Sequence, residues 1–283
     1  MRIRRTLVIA LAMVWAACSA SPSEPTITVV VPTPGTEAGQ SPTTSTSPTS
    51  TIDLRPLQVL VVHETAGFRH DSIPAGLDAI VDIGNENGFT VESSDDSTVL
   101  LDPGLARTRV VVFLNTTGDI LTVPEEHAME AFVRSGGGFV GIHSASDTEY
   151  DWSWYGGLVG AYFDSHPAIQ AATIRSTGTD HPAGQGLPSS FERVDEWYNF
   201  RSLPGPDVVV LARLDETSYE GGIMGDDHPI AWAQDYDGGR SFYTAGGHTI
   251  ESHAEPLFRD HVKTGILWSA GSRSEPSGGG AVP

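Results

Sequence analysis

Three short runs of apolar, largely β-branched residues most constrain how this chain can fold. They span residues 57–62 (LQVLVV), 109–114 (RVVVFL) and 139–142 (FVGI). Runs that are apolar at every position, rather than at alternate ones, are typical of strands buried on both faces of a sheet. A helical pattern that begins near Ser72 separates the first two runs, and a second, which begins with a capping box of Thr122 and Glu125, separates the last two. This order predicts an α/β fold in which helices cover both faces of a parallel sheet.

The second half of the chain is less regular in its pattern. Four further strands are expected there, the last two forming a hairpin: 168–175, 208–214, 230–234 and 240–245. Ser252 and Glu255 have the spacing of a capping box, which predicts a final helix that ends before Gly271. Together with the first half, these elements predict one folded domain over residues 54–271.

The two ends of the chain lack the patterns of a folded domain. Residues 1–18 combine a basic start with a short apolar run, which is typical of an export signal. Cys18, the one cysteine of the sequence, resembles the lipidated cysteine of bacterial lipoproteins, although a plain secretory signal fits the same pattern. Residues 19–53 and 272–283 are predicted to be disordered from their Ser, Thr, Pro and Gly content. We therefore expect a protein that is secreted or lipid-anchored at the outer face of the bacterial cell membrane.

The formal net charge of −20 restricts the partners of this chain. A polyanion of this size is repelled by nucleic acids and by anionic lipid surfaces. We expect no nucleic-acid partner, and membrane contact only through a lipid on Cys18. With a single cysteine, the chain can form no intrachain disulfide.

Polar residues follow the predicted strands at the points where the strands end. His63 follows the first run, Asn115 the second and His143 the third. Ligands of parallel α/β sheets bind beyond the carboxyl ends of the strands. The sequence therefore places these three side chains along one edge, where a site can form.

Five of the ten histidines are predicted to share that site: His63, His70, His143, His166 and His248. Two chemistries remain open for them. A divalent metal such as Zn²⁺ takes imidazole and carboxylate ligands. Metal-free acid–base chemistry needs only histidines with carboxylate partners, and Asp147, Glu149, Asp195 and Glu196 are available for that role. His127 and His261 fall in predicted helices, on solvated or half-buried faces, and are not included.

Aromatic residues lie beside acidic ones in two predicted loops: Trp152, Trp154, Tyr155, Trp197 and Tyr198. Rings with flanking carboxylates commonly stack on sugars and bind their hydroxyls. An ordinary loop core has the same composition, so both interpretations remain open.

The turn GIHSA (141–145) has the pattern of a nucleophile elbow, in which a strand ends sharply at a reactive side chain. His143 stands at the position where such an elbow carries Ser or Cys. Ser144 is one place late. A Ser–His–Asp hydrolase is therefore not expected.

Longer segments resemble the ThuA-like family, which is named for trehalose utilisation: GFRHDSIP (67–74), the stretch 136–167, DEWYNF (195–200), DHPIAW (227–232) and the stretch 238–253. The resemblance implies a flavodoxin-like three-layer sandwich with a mostly parallel central sheet, akin to the class I glutamine amidotransferases. Those relatives carry Cys at the elbow and a His-x-Glu pattern later. Here His143 replaces the Cys, and Glu251 stands one place too far from His248, so glutamine hydrolysis is not expected.

The resemblance also implies a role in disaccharide and oxidised-sugar metabolism, with a small carbohydrate as the partner. Some relatives bind a metal through His and acidic residues. The family's motifs are matched at six positions: His70, His143, His166, Glu196, His228 and His248.

We predict His143, His248 and Glu196 as the catalytic residues, with the two histidines as acid–base groups or metal ligands and Glu196 as their carboxylate partner. His63, His166 and His228 are predicted as additional metal ligands. Residues predicted to contact the substrate are His70, Asn115, Trp152, Trp154, Tyr155, Trp197 and Tyr198. Whether the chain is an enzyme or a lipid-tethered carbohydrate-binding protein without catalysis remains open.

Overall fold

A computed structural model describes residues 57–271, and within them a nine-stranded sheet forms the centre of the fold. The predicted export signal, Cys18, the linker and the C-terminal tail lie outside the described residues. Among the residues described, no helix has the length and apolar character needed to cross a membrane.

The strands in chain order are β1 (Gln58–Val62), β2 (Thr90–Ser94), β3 (Val110–Leu114), β4 (Gly138–Ile142), β5 (Phe163–Ser165), β6 (Gln170–Ser176), β7 (Ser190–Asp195), β8 (Asn199–Phe200), β9 (Val209–Leu214), β10 (His228–Tyr236) and β11 (Gly239–Thr244). The α-helices are α1 (Ile73–Asn87), α2 (Val123–Arg134), α3 (Ser153–Val159) and α4 (Pro256–Ser269).

The strand order of the sheet is β2-β1-β3-β4-β11-β10-β9-β6-β7. The strands from β2 to β11 pair in parallel, and the apolar runs of the sequence form the centre of this half. From β11 onward the neighbours pair antiparallel, so a hairpin and three further strands extend the sheet. The predicted flavodoxin-like sandwich with a mostly parallel central sheet is confirmed.

Helices cover both faces of the sheet. The Ser241 hydroxyl on β11 donates to the carbonyl of Leu158 in α3, while the next side chain along the strand, Phe242, packs against Gly265 of α4. Because successive side chains of a strand point to opposite faces, α3 and α4 lie on opposite sides of the sheet. Helix α1 packs beside α4.

The two capping-box predictions had different outcomes. Thr122 and Glu125 cap α2 as predicted, and the Thr122 amide donates to the Glu125 carboxylate at 2.6 Å. The box at Ser252 and Glu255 is wrong, because α4 begins at Pro256. The Ser252 hydroxyl donates instead to Asp195 at 2.8 Å. The buried carboxylate of Asp195 therefore takes the hydroxyl that the capping-box spacing assigns to the helix start.

His261 on α4 is buried, not half-buried as its helical pattern suggested. Its ring packs edge-on against Phe242, with ring centroids 5.0 Å apart. Among residues 57–271 its Nδ1 atom has no hydrogen-bond partner. Burial, with a smaller effect of the Arg193 charge, lowers the pKa of His261 to about 3.

His261 should therefore make the fold sensitive to mild acid. The unfolded chain binds a proton at this residue near the ordinary pKa of 6.5, whereas the folded chain binds it only near 3. The contribution of neutral His261 to the free energy of unfolding is complete above the pKa of the unfolded chain. It is lost as the pH falls from that value toward the pKa of the folded chain. Between about pH 7.5 and about pH 5, we expect His261→Phe to lose about 2 kcal/mol less unfolding free energy than the wild type. Urea unfolding at the two pH values measures the difference.

His127→Ala is the matched control, because His127 is exposed on α2. It should show the same loss between the two pH values as the wild type. An equal loss of unfolding free energy in His261→Phe and the wild type would show that the pKa of His261 is not lowered by folding.

Candidate functional site

Two neighbouring strands end in strained, buried residues. Asn115 follows β3 and His143 follows β4, and both have φ of 50°. Left-handed backbone at a residue other than glycine costs about 1–3 kcal/mol and is held by surrounding contacts. The elbow expected at residues 141–145 is therefore present, with His143 at its apex.

Four side chains converge beyond the carboxyl ends of these strands: His70, His143, Glu196 and His248. One donor atom from each lies within 4.8 Å of the other three. Glu196 Oε2 is 3.0 Å from Nδ1 of His248 and 3.6 Å from Nε2 of His143. The two imidazole nitrogens of His143 and His248 are 3.1 Å apart. We call these four residues the His–Glu cluster.

Each member of the cluster comes from a different connection at the carboxyl edge of the sheet. His70 lies in the loop between β1 and α1, His143 ends β4, Glu196 follows β7 and His248 follows β11. The cluster therefore joins the parallel half of the sheet to its antiparallel half.

Contacts behind the rings fix how two of the histidines face the cluster. Nδ1 of His143 donates to the carbonyl of Ala245 at 2.8 Å, which leaves the lone pair on Nε2 directed at the cluster. Nδ1 of His70 lies 3.4 Å from the hydroxyl of Ser144. The His70 ring meets the rings of His143 and His248 edge-on, at 4.8 and 5.0 Å between centroids.

Burial and mutual contact set the charges of the cluster. Burial, followed by the charges of His143 and His248, lowers the pKa of His70 to about 3, so this ring is neutral. Burial alone would raise the pKa of Glu196, but its contacts with His143 and His248 outweigh this effect and lower the pKa to about 2. Burial lowers the pKa of His248, and Glu196 more than reverses that, so the pKa is raised. The cluster is thus built around one carboxylate anion.

Asp195 holds the backbone on which two members of the cluster stand. Its carboxylate accepts hydrogen bonds from the amides of Gly247 at 2.8 Å and His248 at 3.1 Å. It also accepts from its neighbour, the amide of Glu196, at 3.0 Å and from the Ser252 hydroxyl at 2.8 Å. Asp195 is fully buried. Sequence reasoning had considered this residue only as a carboxylate partner for histidine.

Asn115 and Tyr198 adjoin the cluster, but both are buried. The Asn115 amide donates to the Ser72 hydroxyl at 3.0 Å and to the Gly247 carbonyl at 3.1 Å, which braces the turn before His248. The Tyr198 ring packs on the His143 ring at 4.2 Å between centroids. These contacts show Asn115 and Tyr198 as supports of the cluster.

The other four aromatic residues predicted to contact the substrate are not brought to the cluster. Trp197 and Tyr155 are fully buried and donate to the carbonyls of Gln170 and Ala145. Their ring faces are covered by protein and cannot stack on a sugar.

Trp152 and Trp154 stack on each other, with ring centroids 4.9 Å apart. The Trp154 indole donates to Asp237 in the turn between β10 and β11. Because β11 starts level with the start of β4, this turn lies at the opposite edge of the sheet from His143. The substrate role predicted for both tryptophans is therefore corrected.

The three additional metal ligands predicted from the sequence also fall outside the set of four. His63 is buried, and burial, then the Arg69 charge, lowers its pKa. Both ring nitrogens of His228 are occupied, by Glu216 at 2.7 Å and by the carbonyl of Tyr198 at 2.8 Å. His166 reaches the cluster only through Glu196, whose Oε1 lies 2.9 Å from its Nδ1.

Comparison with known proteins agrees with this fold. The ThuA family model, described as trehalose utilisation, matches residues 58–269. A ThuA-like protein from Bacteroides uniformis is similar, with a TM-score of 0.65 and 22% identity over 77% of this chain and 93% of that one. A ThuA-like protein from Parabacteroides merdae has a TM-score of 0.64 and 18% identity over 78% and 92% of the two chains.

A third solved structure, a β-galactosidase from Bacillus circulans sp. alkalophilus, has a TM-score of 0.52 and 14% identity over 77% of this chain and 31% of that one. At these identities the likeness shows the fold alone. The search of curated proteins gave no match.

Removing the charge of Asp195 should loosen the turn that carries His248. In Asp195→Asn the amide turns an N–H toward groups that are themselves donors, and Arg193, 3.3 Å away, loses its buried anion. We expect the free energy of unfolding to fall by about 2–4 kcal/mol, and amide exchange at Gly247 and His248 to accelerate. Denaturant unfolding and hydrogen exchange measure both.

Ser252→Ala is the control, since it removes one hydroxyl hydrogen bond to the same carboxylate but leaves its charge, and should cost about 1.5 kcal/mol. Equal stability of Asp195→Asn and the wild type would contradict the anchoring role.

Proposed function

Because this chain belongs to the ThuA family, whose model matches residues 58–269, we propose that it acts on a sugar or keto-sugar and uses the His–Glu cluster to hold a divalent metal such as Zn²⁺. The observation that carries the proposal is the convergence of three imidazole nitrogens and one carboxylate oxygen within 4.8 Å. The family description of trehalose utilisation supports the sugar class.

The donor set fits a zinc-type ion. Zn²⁺ in proteins takes imidazole nitrogen and carboxylate oxygen in sets of three or four, at about 2.0–2.2 Å. Two ligands of one tetrahedral ion then lie about 3.3 Å apart, close to the 3.1 Å between His143 and His248. The contacts of Ala245 with His143 and of Ser144 with His70 are those that orient metal-binding rings.

A bound divalent ion would polarise a carbonyl or hydroxyl oxygen of the sugar. The fold leaves one side of the cluster open for the sugar to reach the ion. The His248 side chain is 20% exposed, whereas that of His143 is fully buried, so the cluster opens to solvent at His248. Tyr198, packed against His143, excludes water from the inner side. In the metal-free alternative, Glu196 Oε2 accepts the Nδ1 proton of His248 and orients that ring for acid–base work.

Phe68 offers the sugar an aromatic surface beside the cluster. Its side chain is 66% exposed, and its ring meets the buried His70 ring edge-on at 4.8 Å. The Thr117 hydroxyl donates to the Phe68 carbonyl at 2.9 Å, which fixes the loop. An exposed ring on a fixed loop suits the apolar face of a sugar. No other Phe, Tyr or Trp lies near Phe68 in the sequence, so sequence reasoning missed it.

We place this activity outside the cytoplasm, because residues 1–18 have the pattern of an export signal. Lipidation of Cys18 would confine membrane contact to the N-terminus, and the acidic chain itself would remain off anionic lipid.

Elemental analysis of untagged protein tests the metal. We expect about one equivalent of a transition metal in the wild type and less than about one tenth in His143→Ala and Glu196→Gln, because each variant removes a ligand. His127→Ala, a histidine exposed on α2, should keep the full amount. Folded wild type with less than about a tenth of an equivalent would remove the metal and leave the acid–base alternative.

Turnover of trehalose, its 3-keto form and related glycosides tests the reaction. His143→Ala should abolish turnover. Phe68→Ala should raise KM about fivefold with little change in kcat, because stacking on an aromatic ring is worth about 1 kcal/mol. Leu101 is an exposed apolar side chain, 49% accessible, that is not part of the cluster. Leu101→Ala should therefore have the KM and kcat of the wild type. Sugar binding without turnover in the wild type would instead establish a carbohydrate-binding protein.

A further inference from the structure

We propose that His166 is a positioning residue, which holds one oxygen of Glu196 away from the His–Glu cluster so that the other oxygen alone faces the metal. This inference rests on the metal proposed above. It assigns His166 a role different from that of the metal ligand predicted from the sequence.

The two oxygens of Glu196 have different partners. Oε1 lies 2.9 Å from Nδ1 of His166. Oε2 lies 3.0 Å from Nδ1 of His248 and 3.6 Å from Nε2 of His143. The carboxylate is thus clamped between the cluster on one side and His166 on the other.

The close contacts of His166, a hydrogen bond to the Pro167 carbonyl and an ion-pair contact with Glu196, exclude its Nδ1 as a ligand. That nitrogen is 2.9 Å from Glu196 Oε1 and also 2.9 Å from the carbonyl oxygen of Pro167. A carboxylate oxygen and a carbonyl oxygen are both acceptors, so the nitrogen between them carries a hydrogen. A protonated nitrogen has no lone pair to give a metal.

The surroundings of His166 hold its ring in this direction. Pro167 restricts the backbone of the residue before it to extended geometry. The ring tilts against those of Phe163 and Tyr198, at 5.9 and 6.1 Å between centroids. Tyr198 in turn packs on His143, so the same aromatic ring supports a member of the cluster and the residue that orients Glu196.

A carboxylate held at one oxygen binds a metal through the other, and it loses less freedom when it does so. Partners that orient metal ligands in this way typically contribute about 10–100-fold to metal affinity. The structure therefore assigns His166 an effect on affinity that depends wholly on Glu196.

Titration of metal-free full-length protein with Co²⁺ alone, followed by visible absorption, tests the assignment. We expect His166→Ala to bind Co²⁺ about 10–100-fold more weakly. His166→Asn should bind within about threefold of the wild type, because its amide nitrogen can stand where Nδ1 stands and donate to Oε1. In a Glu196→Gln background, His166→Ala should have no further effect.

Four results would overturn the inference. His166→Ala with wild-type affinity would show that no positioning occurs. His166→Asn as weak as His166→Ala would show that the ring is itself a ligand, as would an equal further loss in the Glu196→Gln background. Wild type that takes up no Co²⁺ would refute the proposed metal, and this inference with it, whereas uptake unchanged by His166→Ala would refute only the inference.

Discussion

The buried carboxylate of Asp195 is the contact on which the rest of the site depends. It joins the end of β7 to the turn after β11 by accepting the amides of Gly247 and His248. A buried anion is costly unless it is fully paired, and here Arg193 and the Ser252 hydroxyl complete the pairing. Glu196 and His248 stand directly beside the residues held in this way. Their 3.0 Å contact is therefore a consequence of how the backbone is fixed.

The two halves of the sheet make different contributions to the His–Glu cluster. The parallel half ends β4 in the strained elbow that presents His143, the arrangement expected beyond the carboxyl ends of such strands. The antiparallel half adds β7, the outermost strand, from whose end Glu196 reaches back to the same edge. The ThuA-like fold thus carries a cluster of imidazoles and one carboxylate at the strand end whose turn has the pattern of a nucleophile elbow. The charges follow from the same geometry, since contact with two histidines lowers the pKa of Glu196 to about 2 despite its burial.

Sequence patterns predicted the scaffold better than the site. Continuous apolar runs identify buried strands, and strand ends placed Asn115 and His143 on one edge, as found. The tryptophans were misplaced because composition does not distinguish a ring that fills the core from one that faces solvent: Trp197 is buried although its neighbour Glu196 reaches the cluster. Phe68 could not be identified from the sequence, because the role proposed for it rests on its exposure beside His70, which only the fold shows. Asp195 was undervalued because its partners lie more than fifty residues away along the chain.

We propose that the His–Glu cluster binds one divalent metal through three histidines and Glu196. X-ray absorption of the Zn²⁺-loaded protein tests it most directly, because multiple scattering from imidazole rings reports the number of histidine ligands. We expect nitrogen and oxygen ligands at about 2.0–2.1 Å from the metal, with three imidazoles in the wild type and two in His248→Ala. A shell of oxygen atoms with no imidazole scattering, or a spectrum that His248→Ala leaves unchanged, would contradict it.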